Sequence, residues 1–196
     1  MYLLARHSRA IRILHAATAA AITFQLLISL VMDHPHATRP MSVVGRFYFQ
    51  CHEWAGLLTA GILLSGWVYR LLNWRRESQG ALYPWISVGG CKVVALELKT
   101  FLLLRWTKIP QSGALAGTAH GLGLLAASAM AATGVAIFIG LGSADQVTPG
   151  VHNLMEVHST LATFMWIYLY GHALMALWHQ FMGHRVFDEM FSFKQR

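Results

Sequence analysis

Charge is what this chain lacks most: of its 196 residues only 12% are Asp, Glu, Lys or Arg, against about 25% in soluble domains. Set beside 56% hydrophobic residues, that shortage places the chain in the membrane class. Thiols are scarce as well. Cys51 and Cys91 stand alone, with no CxxC pair, which excludes a dithiol redox motif. There is no nucleotide-binding glycine motif and no nucleophile with a base at a usable spacing. Strict polar–apolar alternation is missing too, so a closed β-barrel is not how this chain would cross lipid.

What is present is four nearly uncharged apolar stretches, at about 13–32, 54–72, 114–141 and 157–182. Each is near or above the ~20 residues that span hydrocarbon. Backbone groups in lipid must be satisfied within the segment, so the spans are expected to be helices. Arg6, Arg9 and Arg12 precede the first run, but that run is too long for the roughly 7–15 residues of a signal-peptide core. It reads as the first membrane helix. Arg70, at the end of the second, can snorkel to the interface.

Lys and Arg divide unevenly among the flanks: three before the first span, two between the first and second, seven between the second and third, none between the third and fourth, and three after the fourth. The positive-inside rule puts both termini and the long connector in the cytoplasm. The net charge of +7 is accounted for by this bias and calls for no nucleic-acid partner. Cys51 and Cys91 are then expected on opposite sides of the bilayer, with no disulfide between them.

The connector, 73–112, separates two helix pairs without any internal repeat, so a single domain over 1–196 is expected. Within it, 92–105 (KVVALELKTFLLLR) is too short and too charged to span and reads as an interfacial helix. Pro110 and Gly113 punctuate the entry to the third span. Gly117 and Gly121 there have GxxxG spacing, a signature of close helix packing. The expected fold is an all-α integral membrane protein, a four-transmembrane-helix bundle with an interfacial helix between helices 2 and 3.

Eleven histidines in so apolar a chain are the informative feature, because ionisable residues inside membrane spans are costly and usually functional. Four stand out by depth: His15 at the inner end of the first span, His52 at the outer start of the second, His158 at the outer start of the fourth, and His172 deeper in the fourth. From His158 to His172 is 14 residues, about 21 Å of helical rise with only ~40° between them around the axis. Two ligands stacked on one face imply two stacked sites. His52 reaches the depth of His158, and His15 that of His172, which gives one outer and one inner pair.

Two neutral imidazoles capping an iron from opposite sides of a planar macrocycle suit such pairs in a helix bundle, so two b-type haems are expected. Zinc would want four clustered ligands, and covalent attachment would need CxxCH, which is missing. Small residues follow His52 at helical spacing, Gly56, Thr59 and Gly66, where a flat ligand needs clearance. Ala162, Met165, Met175 and Ala176 form a comparable lining on the fourth span. Ordinary small-residue helix packing is the alternative reading of the stripe that follows His52.

Among the other histidines, His120 in the third span is the rival for an inner ligand. His7 and His184 fall in cytoplasmic flanks, and His34, His36 and His152 in outer loops. His179 lies seven residues beyond His172 on nearly the same face, placed to hydrogen-bond a quinone or a haem propionate. Arg9, Arg12 and Arg70 lie toward the inner site and Arg46 toward the outer, as propionate partners or as a positive-inside flank. Glu53 and Glu156 flank the outer pair, either in proton handling or as solvated helix-end carboxylates.

These stretches, ILHAAT around His15, CHEWAG around His52, EVHSTLA around His158 and YGHALMALWHQF around His172 and His179, resemble the bacterial cytochrome b-561 and nickel-iron hydrogenase-type di-haem cytochromes b. The gamma subunits of formate dehydrogenases are relatives of that group. The resemblance covers most of the chain. It implies two haems b in a four-helix bundle of the bacterial inner membrane, liganded by His15, His52, His158 and His172, with electrons exchanged with quinone and a quinone-side role for His179. It also implies a partner dehydrogenase, hydrogenase or cytochrome c, in an assembly that is itself open. Ala16 departs from the tryptophan that follows the first ligand in many relatives. The connector is longer than in compact free-standing members and looks more like the versions that anchor partner enzymes.

Three functions are compatible with these residues. One is an electron-relay subunit between quinone and a partner redox protein. Another is a self-sufficient quinone-linked oxidoreductase taking electrons from a small outer donor such as superoxide, which an outer cationic funnel would favour; the outer loops carry only Arg39 and Arg46 against Asp33 and Asp145. The third is a non-redox transporter or scaffold, which predicts a protein without haem.

Overall fold

The four apolar runs need no partner to satisfy their backbones, and in the structure, a computed structural model, each is a long helix. The structure describes residues 8–35, 40–73, 82–103, 113–142 and 147–183. His7, His36, Arg39, Pro110, Asp145 and His184 lie outside them. All regular structure among the described residues is helical: α1 (Arg9–Ile28), α2 (Val43–Leu72), a short 3-10 turn (Pro84–Ile86), α3 (Val88–Leu102), α4 (Ala114–Gly142) and α5 (Pro149–Phe181). Helices α1, α2, α4 and α5 are long and apolar enough to cross a membrane, so this is a multi-pass, all-α membrane protein. Large apolar side chains face outward along them, with Val43 88%, Leu72 81% and Phe181 84% exposed. In water such a surface would aggregate; hydrocarbon is the medium that accepts it.

The helix ends correct the expected boundaries. Helix α1 begins at Arg9 and stops at Ile28, four residues before the end of the apolar run, because the chain turns at Leu30 and Val31, whose N–H groups bond back to the Leu27 and Ile28 carbonyls. Helix α2 starts eleven residues ahead of the apolar window, and α5 eight ahead. Hydropathy measures transfer into hydrocarbon, whereas the helical ladder continues through polar residues wherever its first turn is capped. The Thr148 hydroxyl accepts from Val151 N at 3.3 Å with Pro149 in the first turn, a start signal by both side chain and fixed φ. At α2 the Asp33 carboxylate accepts from Ser42 N at 2.8 Å and Ser42 Oγ at 2.7 Å. With 33 residues, α5 measures about 50 Å against ~30 Å of hydrocarbon, so its ends extend past the apolar layer.

The chain groups into two compact units, 1–67 with 127–196, and 68–126. In the first unit α1, the leading part of α2, the trailing part of α4 and α5 pack together. Gln25 Nε2 donates to the His52 carbonyl at 3.0 Å and Trp67 Nε1 to Ser128 Oγ at 2.9 Å. Trp54 meets Phe138 edge-on. A Cβ added at Gly140 would come within 2.6 Å of Val151 Cγ2, so this glycine is what lets α4 and α5 approach closely.

The second unit holds the connector helix. Helix α3 confirms a helix in this segment but runs Val88–Leu102, starting four residues earlier than its charge pattern suggested because the Ser87 side chain caps it through Gly90 N. Its Glu97 is only 2% exposed and accepts from Leu115 N, in the first turn of α4, at 2.7 Å. Gly113, at φ +70, provides the left-handed turn immediately before α4. Gly121 was expected to pack against a helix. Instead it meets the Leu82 carbonyl and the Trp85 ring, so the missing side chain admits the connector turn. Burial pushes the Tyr83 phenol up, with the Arg70 guanidinium opposing, and the group stays protonated at neutral pH. Both cysteines are free.

Candidate functional site

His52 and His158 are not at the starts of their helices, as hydropathy alone suggested. Because both helices begin earlier, each is the tenth residue of its helix, roughly 14 Å along the axis. Their rings meet across the unit with centroids 6.3 Å apart and planes at 90°. His15 on α1 and His172 on α5 meet likewise, at 6.3 Å and 57°. All four are half-buried. Helix α5 runs unbroken through both of its histidines, so the two pairs are stacked along one helix.

The spacing within each pair suits a metal between two imidazoles. Metal–nitrogen bonds of roughly 2 Å, added to about 1 Å from each nitrogen to its ring centre, set the centroids roughly 6 Å apart. Beside the His52–His158 pair lies a cavity of ≈ 300 Å³, walled by all four long helices and mainly apolar. Gly56, Thr59, Ala162 and Met165 line it, as the small-residue stripes suggested. Gly66 is buried further along α2, and Met175 and Ala176 are not part of this wall. Two buried polar atoms at the cavity, His52 Nδ1 and Gln25 Oε1, have no hydrogen-bond partner among the described residues. Buried polar atoms are rarely left so, and a polar-edged planar group in the cavity would meet both the apolar wall and these atoms.

His158 has a side-chain partner on a neighbouring helix. Its Nδ1 lies 2.8 Å from Thr133 Oγ1 on α4. The same hydroxyl donates to the Ala129 carbonyl at 2.9 Å and lies 3.0 Å from the Met130 carbonyl. A hydroxyl has one hydrogen; directed at the helix backbone, it leaves Thr133 to accept from the imidazole, the arrangement in which Nδ1 carries the ring proton and Nε2 the lone pair. Gly134 makes room for this arrangement: an added Cβ would stand 3.3 Å from His158 Cε1.

The remaining candidates sort by position. His34 is in a loop and exposed, as expected, and also lines the cavity, as does Glu53, which is half-buried. His152 is in the first turns of α5 rather than in a loop, and it and Glu156 are exposed. His120 bonds through Nδ1 to the Ala116 carbonyl of its own helix at 2.7 Å. His179 is half-buried in the last turn of α5. Arg9 and Arg46 are exposed, Arg12 and Arg70 half-buried. Tyr168, one turn before His172, stacks on its ring at 5.4 Å and 13°. The sequence reading singled out neither Tyr168, Thr133 nor Gln25; Tyr168 was findable from its i,i+4 spacing to a candidate ligand.

Four membrane-crossing helices with histidines facing one another in pairs define a membrane protein built to hold a metal-centred group between helices. The chain belongs to the prokaryotic cytochrome b561 family, which it matches over residues 6–193. It is thus a membrane b-type cytochrome: it binds haem b and its work is electron transfer. No curated protein and no solved structure matches the chain.

Proposed function

We propose that this protein carries electrons between the quinone pool and a partner redox protein through two haems b, one held by His52 and His158 and the other by His15 and His172. The observation that carries this reading is the repetition of one geometry: two histidine pairs with the same 6.3 Å separation, sharing α5. Haem iron, cycling between ferric and ferrous, supplies one-electron chemistry of the kind a diffusible two-electron quinol must be matched to. The protein's part is to fix each imidazole, exclude water with an apolar wall and set the potential of each site.

The Lys and Arg bias supports an orientation with both termini cytoplasmic in a bacterial inner membrane, the His15–His172 pair toward that side. His179, about 10 Å further along α5, is then the candidate to hydrogen-bond quinone. Helices α2 and α4 contribute residues to both compact units, which supports one membrane domain over the whole chain. The connector with α3 is the candidate contact for a partner enzyme.

The test is anaerobic mixing of the oxidised, detergent-purified protein with a short-chain quinol. The proposal predicts appearance of the reduced haem spectrum, slowed several-fold in H179A at unchanged haem content. A wild-type protein that dithionite reduces but quinol does not would reject the quinone assignment.

A further inference from the structure

The geometry points to Thr133 as a positioning residue that sets the tautomer and the donor strength of His158, and so lowers the potential of the haem at the His52–His158 pair. The inference rests on the ligand reading above.

Two features separate this pair from an ordinary pair of facing histidines. The first is the saturated Thr133 hydroxyl. Its donor capacity goes to the Ala129 and Met130 carbonyls, at 2.9 and 3.0 Å, leaving oxygen lone pairs for His158 Nδ1 at 2.8 Å. The Met130 carbonyl lies beside the same imidazole as a second acceptor, and a carbonyl can only receive a proton. The second feature is a difference in partners: His52 lies beside the backbone carbonyl of Gln25, whereas His158 also has a side-chain hydroxyl from a neighbouring helix, the contact that a single substitution removes.

A ligating imidazole that donates its second N–H to a hydrogen-bond acceptor becomes a better base, and its ring is held in one orientation. A better base favours ferric over ferrous iron, so the potential falls. Gly134 supports the arrangement by keeping α4 close enough for the hydroxyl to reach, its position opposite His158 Cε1 leaving the ring no slack on that side. A threonine one turn from any backbone carbonyl could serve only its own helix. Here the same oxygen also reaches a ring on a neighbouring helix.

The experiment compares wild-type holoprotein with T133V, T133A and T133S by potentiometric titration and by electron paramagnetic resonance of the ferric state. T133V keeps the shape and removes the oxygen. The expected result is about a tenfold shift of the one-electron equilibrium toward ferrous at one haem, the lower end of what losing such a partner costs a metal site, or about 59 mV upward. The other haem stays in place, and the low-spin signal of the shifted haem changes. T133A, smaller but equally without an acceptor, shifts in the same direction, and T133S restores the wild-type value. Loss of that one haem from T133V and T133A with retention in T133S supports the same conclusion. Unshifted potentials in both T133V and T133A, in proteins where H158A still removes one haem, overturn the role of Thr133 and leave the ligand pair standing. Full haem retention by H158A overturns the ligand reading and this inference with it.

Discussion

His52 and His158 each occupy the tenth residue of a membrane-crossing helix, and their ring centroids meet 6.3 Å apart. The first turns that precede them are capped by Asp33 and Ser42 in one case and by Thr148 in the other.

Substitution of the histidines should separate the two sites. H158A and H52A are each expected to lower haem content from two per chain to one, as H15A and H172A should for the other site. The difference spectra of the two groups should be complementary, each lacking the band that the other retains. Loss of both haems from every variant, in protein that remains folded, would show that the pairs are not independent.

Gly134 gives a graded test of packing at the ligand. Alanine there meets His158 Cε1 at 3.3 Å, a contact the ring can relieve by a few tenths of an ångström. Leucine cannot be relieved so simply, because overpacking forces side chains off their rotamers or shifts the backbone. G134A should keep both haems with a small spectral shift, whereas G134L should lose the haem at the His52–His158 pair. Equal haem content in wild type and G134L would contradict the placement of His158.

Glu97 should matter to stability and not to haem. Its buried carboxylate takes the Leu115 N–H at the start of α4, where a helix N-terminus favours negative charge. Removing a charged acceptor from a half-buried amide costs about 1.5–3 kcal/mol. E97A should melt earlier in detergent while binding the same amount of haem as wild type, and E97Q should lie between them. An unchanged melting temperature would indicate that water reaches the amide.

Much of the fold was legible because hydrophobic transfer is a local property: four apolar runs gave four helices, and α4 began at the expected Ala114. That the His15 ring would lie near His172 and the His52 ring near His158 was legible because helical rise converts sequence spacing into depth. What escaped depends on contacts between distant residues. No periodicity connects Thr133 to His158, Gly121 to Leu82, or Glu97 to Leu115. His34 is the exposed loop residue that the sequence suggests, but nothing in its neighbourhood marks the turn that brings this loop to the cavity wall. The early start of α5 was written in Thr148 and Pro149, but a hydropathy window gives no weight to a cap.

The central claim is most directly tested by counting haem. A pyridine haemochrome assay on the detergent-purified chain, with a dithionite-reduced minus oxidised spectrum, should give two non-covalent haems b per polypeptide. A single haem would contradict the paired-site account, and none, from cells supplied with haem, would contradict it altogether.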